Sequence, residues 1–143
     1  MPRLSPYESL GFHCNLTLKA FRDVLKEKLK DTGISPGQYR ALAHLIALGP
    51  LSQSELADHL SITSATGARL VDRMERDGWV VRQPDPQDGR VNLVVPTDRA
   101  AEVWDRISRA GEELLVQAYQ GLHSSEIEIV KHVLDRVRKN LKG

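Results

Sequence analysis

The sequence predicts a mainly α-helical fold carrying a small β-hairpin wing, arranged as a winged helix-turn-helix with long helices at both ends. Three observations predict it. Two capping boxes, Ser35-Pro36-Gly37-Gln38 and Ser52-Gln53-Ser54-Glu55, open helices in quick succession. Beyond Gly78 the helical periodicity gives way to two strand-like runs, Trp79-Val80-Val81-Arg82 and Val91-Asn92-Leu93-Val94-Val95, joined by the turn-rich stretch from Gln83 to Arg90. Long amphipathic segments flank this middle part. Short helices joined by a tight turn and followed by a hairpin make a winged helix-turn-helix.

Taken in order, Leu10, Cys14, Leu18, Phe21, Leu25 and Leu29 recur at spacings of 4, 4, 3, 4 and 4. They form one face of a helix from Tyr7 to Lys30, about 36 Å long at 1.5 Å per residue. Phe12 and Leu16 add a second apolar row near its start, so this half is expected to be buried on more than one side. Gly33 closes the element. Ser35 is the expected N-cap of the next helix, with Pro36 at its first position, and Gly49-Pro50 ends it. The second capping box opens a short helix carrying Leu56, Ala57 and Leu60. After the tight Ser61-Ile62 connection, a further helix runs from about Thr63 to Asp77, with Gly78 as its C′ residue. Thr97 caps a long helix to about Gly121, and Ser124 or Ser125 caps the last one.

Composition narrows the function. At 143 residues the chain forms one core that buries roughly 68–70% of its unfolded surface, with no need of a metal or disulfide staple. A single Cys excludes an internal disulfide and a multi-thiolate zinc site, and fits a reducing cytoplasm, the expected location. MPRLSPYESLG holds no long apolar run, so no secretory signal is expected there. The longest uncharged stretch, Ala41 to Ser54, is interrupted by Gly49-Pro50 and falls short of the ~20 residues of a membrane span. A Gly-rich phosphate loop, a metal constellation and a nucleophile–base spacing are all missing from the sequence, so an enzyme, a cofactor and a metal are not expected.

A net charge of +1 conceals a segregation: all seven Lys lie in two terminal blocks, and every cation between them is Arg. On a helix over 63–77, Arg69, Arg73 and Arg76 fall within roughly 60° at 100° per residue. Gly67, Leu70, Val71 and Met74 lie opposite. Small and polar residues at the N-terminal end, followed by Arg on one exposed face, suit a helix that reads base edges and phosphates in a major groove. The competing account is a solvated face laced by the pairs Asp72–Arg76 and Arg73–Asp77 at i,i+4 spacing. At the hairpin tip, Arg90 can enter a minor groove with Asp88 orienting it, where the alternative is an ordinary turn with an exposed ion pair.

The segment LSQSELADHLSITSATGARLVDRMERDGWVVRQPDPQDGRVNLVVPT, Leu51 to Thr97, resembles the MarR family of winged-helix regulators. LVDRMERDGWV and the DPQDGR wing are its most specific parts, and a weaker likeness extends over both flanks. The resemblance implies an N-terminal dimerisation helix over 1–34, a DNA-binding region over 35–97, and C-terminal dimerisation helices over 98–143, all in one intertwined domain. It implies a homodimer binding a pseudo-palindromic operator on double-stranded DNA, and a small phenolic or carboxylic effector that relieves repression. By position, Thr63, Ser64, Thr66 and Arg69 look like groove contacts. Gln53, Arg73 and Arg82 look like backbone contacts, and Asp88 with Arg90 like the wing-tip pair. The sequence departs from the family in three places. Gly67-Ala68 precedes Arg69 instead of a branched apolar residue and a hydroxyl. Gly89 stands where another Arg is usual, and Asp98-Arg99-Ala100 lacks the usual Gly after Pro96-Thr97. The first two departures weaken the expected base contacts and wing charge.

For sensing, His13, Tyr39, His44 and Trp104 are the expected lining of an effector pocket at the junction of the dimerisation and DNA-binding parts. Cys14 has only Tyr7, Leu10, Leu18 and Phe21 as same-face neighbours, so a buried inert thiol is expected. The reading that results is a cytoplasmic, ligand-responsive, homodimeric repressor. Two others stay open: an oxidative-stress regulator switching through Cys14, and a winged-helix protein–protein adaptor using the Arg face.

Overall fold

The hydroxyls that the sequence places before its helices are built as caps. Ser35 Oγ accepts from the Gln38 amide at 3.2 Å, Ser52 Oγ from Glu55 at 3.1 Å, Thr63 Oγ1 from Thr66 at 3.1 Å and Thr97 Oγ1 from Ala100 at 3.2 Å. Each satisfies a backbone donor that the first turn leaves free. They open α2 (Pro36–Leu48), α3 (Gln53–His59), α4 (Ser64–Arg76) and α5 (Asp98–Ala118) in a computed structural model that describes residues 5–143. Before them lies α1 (Leu10–Lys28), after them α6 (Ser124–Lys142).

The antiparallel sheet has the order β1-β3-β2, with β1 at Leu51–Ser52, β2 at Val80–Pro84 and β3 at Asn92–Pro96. The hairpin was legible from its two runs; the third strand was not, because two residues carry no periodicity. Its pairing of Leu51 with Val94 ties the start of α3 to the wing. Trp79, Leu42, Leu45, Leu56, Met74, Ile107, Val71, Val80 and Val94 are fully buried. The core therefore lies among α2, α3, α4, the sheet and the first half of α5.

The crossing of α3 and α4 is close. A Cβ at Gly67 would lie 3.0 Å from the Ala57 Cβ, so the residue that departs from the family pattern is the one that lets these helices approach. Its helix-propensity cost of about 1 kcal/mol is set against that packing. At the other end of α4, Gly78 adopts φ 84°, and the Trp79 amide donates back to the Met74 carbonyl at 2.8 Å, a Schellman closure.

Several expectations are corrected. The first helix does not begin at Tyr7: a 3-10 turn, Pro6–Glu8, precedes Ser9, whose hydroxyl accepts from the Phe12 amide. Its N-terminal half is not buried in the single chain, since Leu10, Leu16 and Leu18 are exposed, as is Cys14. An apolar stripe shows that a face needs covering and not which chain covers it. Helix α5 ends at Ala118, short of Gly121. Neither Ser124 nor Ser125 caps α6; His123 is the N-cap, and its amide donates to Glu126 Oε1 at 2.9 Å. No described helix is long and apolar enough to cross a membrane.

Replacing Gly67 with Val should force α3 and α4 apart. Overpacking of this kind costs about 1–3 kcal/mol, and a lowered thermal midpoint by circular dichroism is the expected result.

Candidate nucleic-acid interface

Helix α4 buries Gly67, Val71 and Met74 and turns the opposite face outward. Thr63, Ser64, Thr66, Arg69 and Arg73 are all exposed on that outer surface. Thr63 Oγ1 donates to Thr66 Oγ1 at 3.0 Å and Arg69 Nη2 to the same oxygen at 3.3 Å. The Thr66 oxygen thus receives two donors, leaving its own proton for an external acceptor. Among the described residues, Arg69 and Arg73 have no carboxylate within 4.0 Å; the i,i+4 pairs allowed by spacing do not form. Asp72 turns instead to Arg82, and Arg76 approaches Asp77 at 3.9 Å. Two adjacent guanidinium groups therefore stand unpaired on a face that a nucleic-acid backbone could neutralise.

Arg82 is engaged within the chain. From β2 its Nη1 donates to Glu75 Oε1 at 2.9 Å, and its Nη2 to both Asp72 Oδ1 and Gln53 Oε1 at 2.8 Å. Its backbone amide adds a bond to Glu75 Oε2 at 3.1 Å. With its side chain only 22% exposed, this guanidinium is used up as a clasp joining wing, α4 and α3. Gln53 belongs to the same clasp. The resemblance places Arg82 and Gln53 on the phosphate backbone; in the free chain the two are bonded to each other, and Arg82 also to Asp72 and Glu75 of α4.

At the wing tip Asp85 and Asp88 shape the turn. Asp85 Oδ1 accepts from the Gln87 amide at 2.9 Å, and the Asp85 amide donates to the Val91 carbonyl at 2.8 Å. Asp88 Oδ1 accepts from both the backbone amide and Nε of Arg90, each at 3.1 Å. These bonds, side chain first and backbone second, hold the Asp88 carboxyl below its ordinary pKa. The Arg90 side chain stays 92% exposed, so the pair orients the cation without hiding it.

The expected sensor residues come together only in part. Tyr39 and Trp104 stack with ring centroids 5.7 Å apart, and burial first, Glu112 second, raises the Tyr39 pKa. His44 lies instead against His59 of α3 at 5.8 Å, its Nδ1 2.7 Å from the Arg40 carbonyl. His13 is held 2.6 Å from the Tyr7 carbonyl, far along α1. Exposed Cys14 contradicts the buried thiol; it lines a shallow hollow between α1 and α6.

Sequence reasoning missed a different hollow at the junction, of roughly 500 Å³, among α1, α2 and α5. Apolar Leu18, Phe21, Leu25 and Leu114 form its walls, and Arg22, Lys26 and Arg40 bring cations to it. None of the four expected lining residues does. The only sequence signal was the i,i+4 spacing of Arg22 and Lys26; Arg40 arrives from another helix. Asp23 also borders the hollow, but Lys19 Nζ engages it at 2.7 Å. Among the described residues, Arg22, Lys26 and Arg40 have no carboxylate within 4.0 Å; Arg40 instead donates to the Leu60 carbonyl at 3.3 Å.

A profile described as the MarR family matches residues 32–91, from the turn before α2 through the wing. The transcriptional regulator YdgJ of Bacillus subtilis is 30% identical over 112 residues, covering 78% of this chain and 68% of its own. The chain belongs to the MarR family. The transcriptional repressor IacR of Pseudomonas putida is 29% identical, covering 82% of this chain and 71% of the repressor. A crystal structure of a cysteine-to-serine mutant of MarR from E. coli, complexed with operator DNA, superimposes with a TM-score of 0.81. It shares 26% identity and covers 90% of this chain and 92% of that one. This MarR-family chain is thus a winged helix-turn-helix transcriptional regulator, and the unpaired Arg face of α4 lies on the second helix of that motif.

Two consequences can be measured. Arg82→Ala removes the clasp, leaves Asp72 and Glu75 facing each other without a cation, and should cost about 1 kcal/mol or more, with faster amide exchange along 80–84. Asp88 has a depressed pKa, so the ordered wing tip is fully present above the ordinary carboxylate range. It is lost as pH falls through the lowered folded value. A carboxyl NMR titration should place Asp88 below the unfolded reference, and Arg90→Ala should raise it part of the way back, because the backbone amide of residue 90 still donates to the carboxylate.

Proposed function

We propose that this regulator is a homodimeric repressor. It binds a pseudo-palindromic operator through α4 and the wing, and an organic carboxylate seated in the basic hollow weakens that binding. The unpaired Arg69 and Arg73 on the outer face of α4 carry the reading, for an exposed ion-paired helix would have spent both on its own acids. Thr63, Ser64 and Thr66 approach base edges at the N-terminal end of the helix, Arg69 reaches guanine or phosphate, Arg73 a phosphate, and Arg90 the minor groove. Gln53 and Arg82 hold these parts in register.

Dimerisation is supported by faces the single chain leaves uncovered. Helix α6 has 19 residues and none is buried. Ile129, Val130 and Val133 are exposed on it, as are Val116 and Leu122 around the end of α5 and Leu10, Leu16 and Leu18 on α1. A second copy covering these faces would remove these apolar side chains from water. Two recognition helices then meet successive major grooves only if they stand about one DNA turn (~34 Å) apart, and this spacing is what an effector at the junction would change. Three cations over apolar walls suit an aromatic carboxylate: the ring is buried and the carboxylate is paired.

The test is an anisotropy titration against an operator selected from random DNA. Arg69→Ala and Arg90→Ala should each weaken specific binding by about 1–3 kcal/mol, and Arg73→Ala should lower the salt slope by about one while weakening all sequences alike. If both of the first two variants bind as tightly as the parent, the contact assignment is wrong. Failure of the parent to bind any DNA at low salt would favour an adaptor that uses the Arg face on an acidic protein. Benzoate should release the operator, and Arg22→Ala with Lys26→Ala should abolish that release. The exposure of Cys14 supports the alternative thiol switch; a Cys14→Ser protein that still leaves DNA on peroxide treatment eliminates it.

A further inference from the structure

We propose that the Gln38–Asp77 hydrogen bond is the mechanical link through which the start of α2 sets the position of the recognition helix, with Gln38 as the positioning residue. Gln38 is 6% exposed, and both ends of its amide are engaged. Oε1 accepts from the Ser35 amide at 3.2 Å and Nε2 donates to Asp77 Oδ2 at 2.9 Å. The side chain cannot turn without losing both bonds. The capping box therefore does more than start a helix: its glutamine reaches 39 residues along the chain to the C-cap of α4.

The two ends of α4 are held in different ways. Near its N-terminus α4 crosses α3 so closely that a Cβ on Gly67 would lie 3.0 Å from the Ala57 Cβ, and this close crossing serves as the pivot. At its C-terminus Asp77 is gripped from two sides: α2 takes the carboxylate through Gln38, and Arg99 of α5 donates to its carbonyl. The residues flanking Gln38, namely Pro36, Gly37 and Arg40, line the basic hollow, and Leu114 of α5 lines it as well. Both elements that grip Asp77 are thus walls of the hollow. A shift of α2 against α5 pulls on the far end of α4, and the pivot converts it into a change of tilt of the helix that carries Arg69 and Arg73. Discrete, bistable contacts of this kind are what turn a small local shift into a coupling between sites.

The inference rests on the DNA-binding and effector readings, and a residue exchange separates it from them. Gln38→Glu keeps an acceptor for the Ser35 amide, so the cap survives, but sets a carboxylate against Asp77. Combining it with Asp77→Asn exchanges amide and carboxylate and restores the bond in the opposite direction. Gln38→Glu should weaken operator binding roughly tenfold, within the usual range for coupled sites. The salt slope should stay unchanged, because neither residue meets a phosphate. The exchanged pair should recover the affinity. In the free protein, the Gly78 and Trp79 amides should exchange faster in Gln38→Glu and return to the parental rate in the exchanged pair. With the parent and exchanged pair equally responsive to benzoate, Gln38→Glu should bind benzoate with unchanged affinity and show a smaller operator shift.

Parental exchange rates in Gln38→Glu, or an exchanged pair that fails to recover, would overturn the link. Exchange in the free protein decides the link even if no DNA is bound, and a parent that binds operator but not benzoate refutes the effector reading alone. A thermal midpoint measured for each variant separates loss of the link from loss of the fold.

Discussion

The burial of Trp79 is the constraint on which the rest of the architecture depends. It follows the left-handed Gly78 that ends the recognition helix, precedes the first wing strand, and is 1% exposed. Its amide closes α4 on the Met74 carbonyl, its own carbonyl receives the Thr97 amide at 3.1 Å, and the Arg99 guanidinium lies 4.2 Å from the centre of its ring. Three elements, α4, the wing and α5, are therefore joined at one residue. The indole Nε1 has no partner among the described residues. An orphaned buried donor costs about 1–3 kcal/mol, which the apolar burial of a large aromatic ring can offset.

Around this centre, polar side chains divide into those that hold the surface and those that form it. Arg82 and Arg99 are committed inward, one to three side chains at the wing root and the other to the end of α4. Arg69 and Arg73 are left outward. Residues 63–90 hold five Arg and five acids, so net charge says nothing about which Arg is which. Pairing decides it: acids drawn to the clasp cannot neutralise the outer face. An arginine close to a partner helix and two carboxylates becomes structural, because desolvating it unpaired would be costly.

The two halves of the chain differ in how far they are covered. Its DNA-reading half has a closed core, while α1, the end of α5 and all of α6 show apolar side chains to solvent. The hollow with Arg22, Lys26 and Arg40 lies at the border of these two regions. A group bound there would touch both the uncovered helices and the closed core that carries α4.

Local chemistry was legible in the sequence. The caps at Ser35, Ser52 and Thr97, the Gly78 closure, the hairpin runs and the Arg sector of α4 each depend on residues within a turn or two, so spacing alone determined them, whereas Thr63 proves to be the cap of α4 and not its first residue. The hairpin-tip residues also offered the Asp88–Arg90 pair, and the structure holds the two together. What stayed hidden depends on residues distant along the chain. The two-residue β1 exists only because β3 pairs with it, Arg82 is bonded to Gln53, 29 residues away, and Cys14 is exposed because its stripe has no covering helix in the single chain. Tyr39 and Trp104 meet while His13 and His44 lie apart from them, because helical phase does not fix how α1, α2 and α5 cross. Sequence thus determined the elements and the outward Arg face, since hydrogen-bond caps and side-chain periodicity are short-range. Tertiary structure alone decided which cations are spent and where a ligand could sit, since pairing depends on distances that only packing sets.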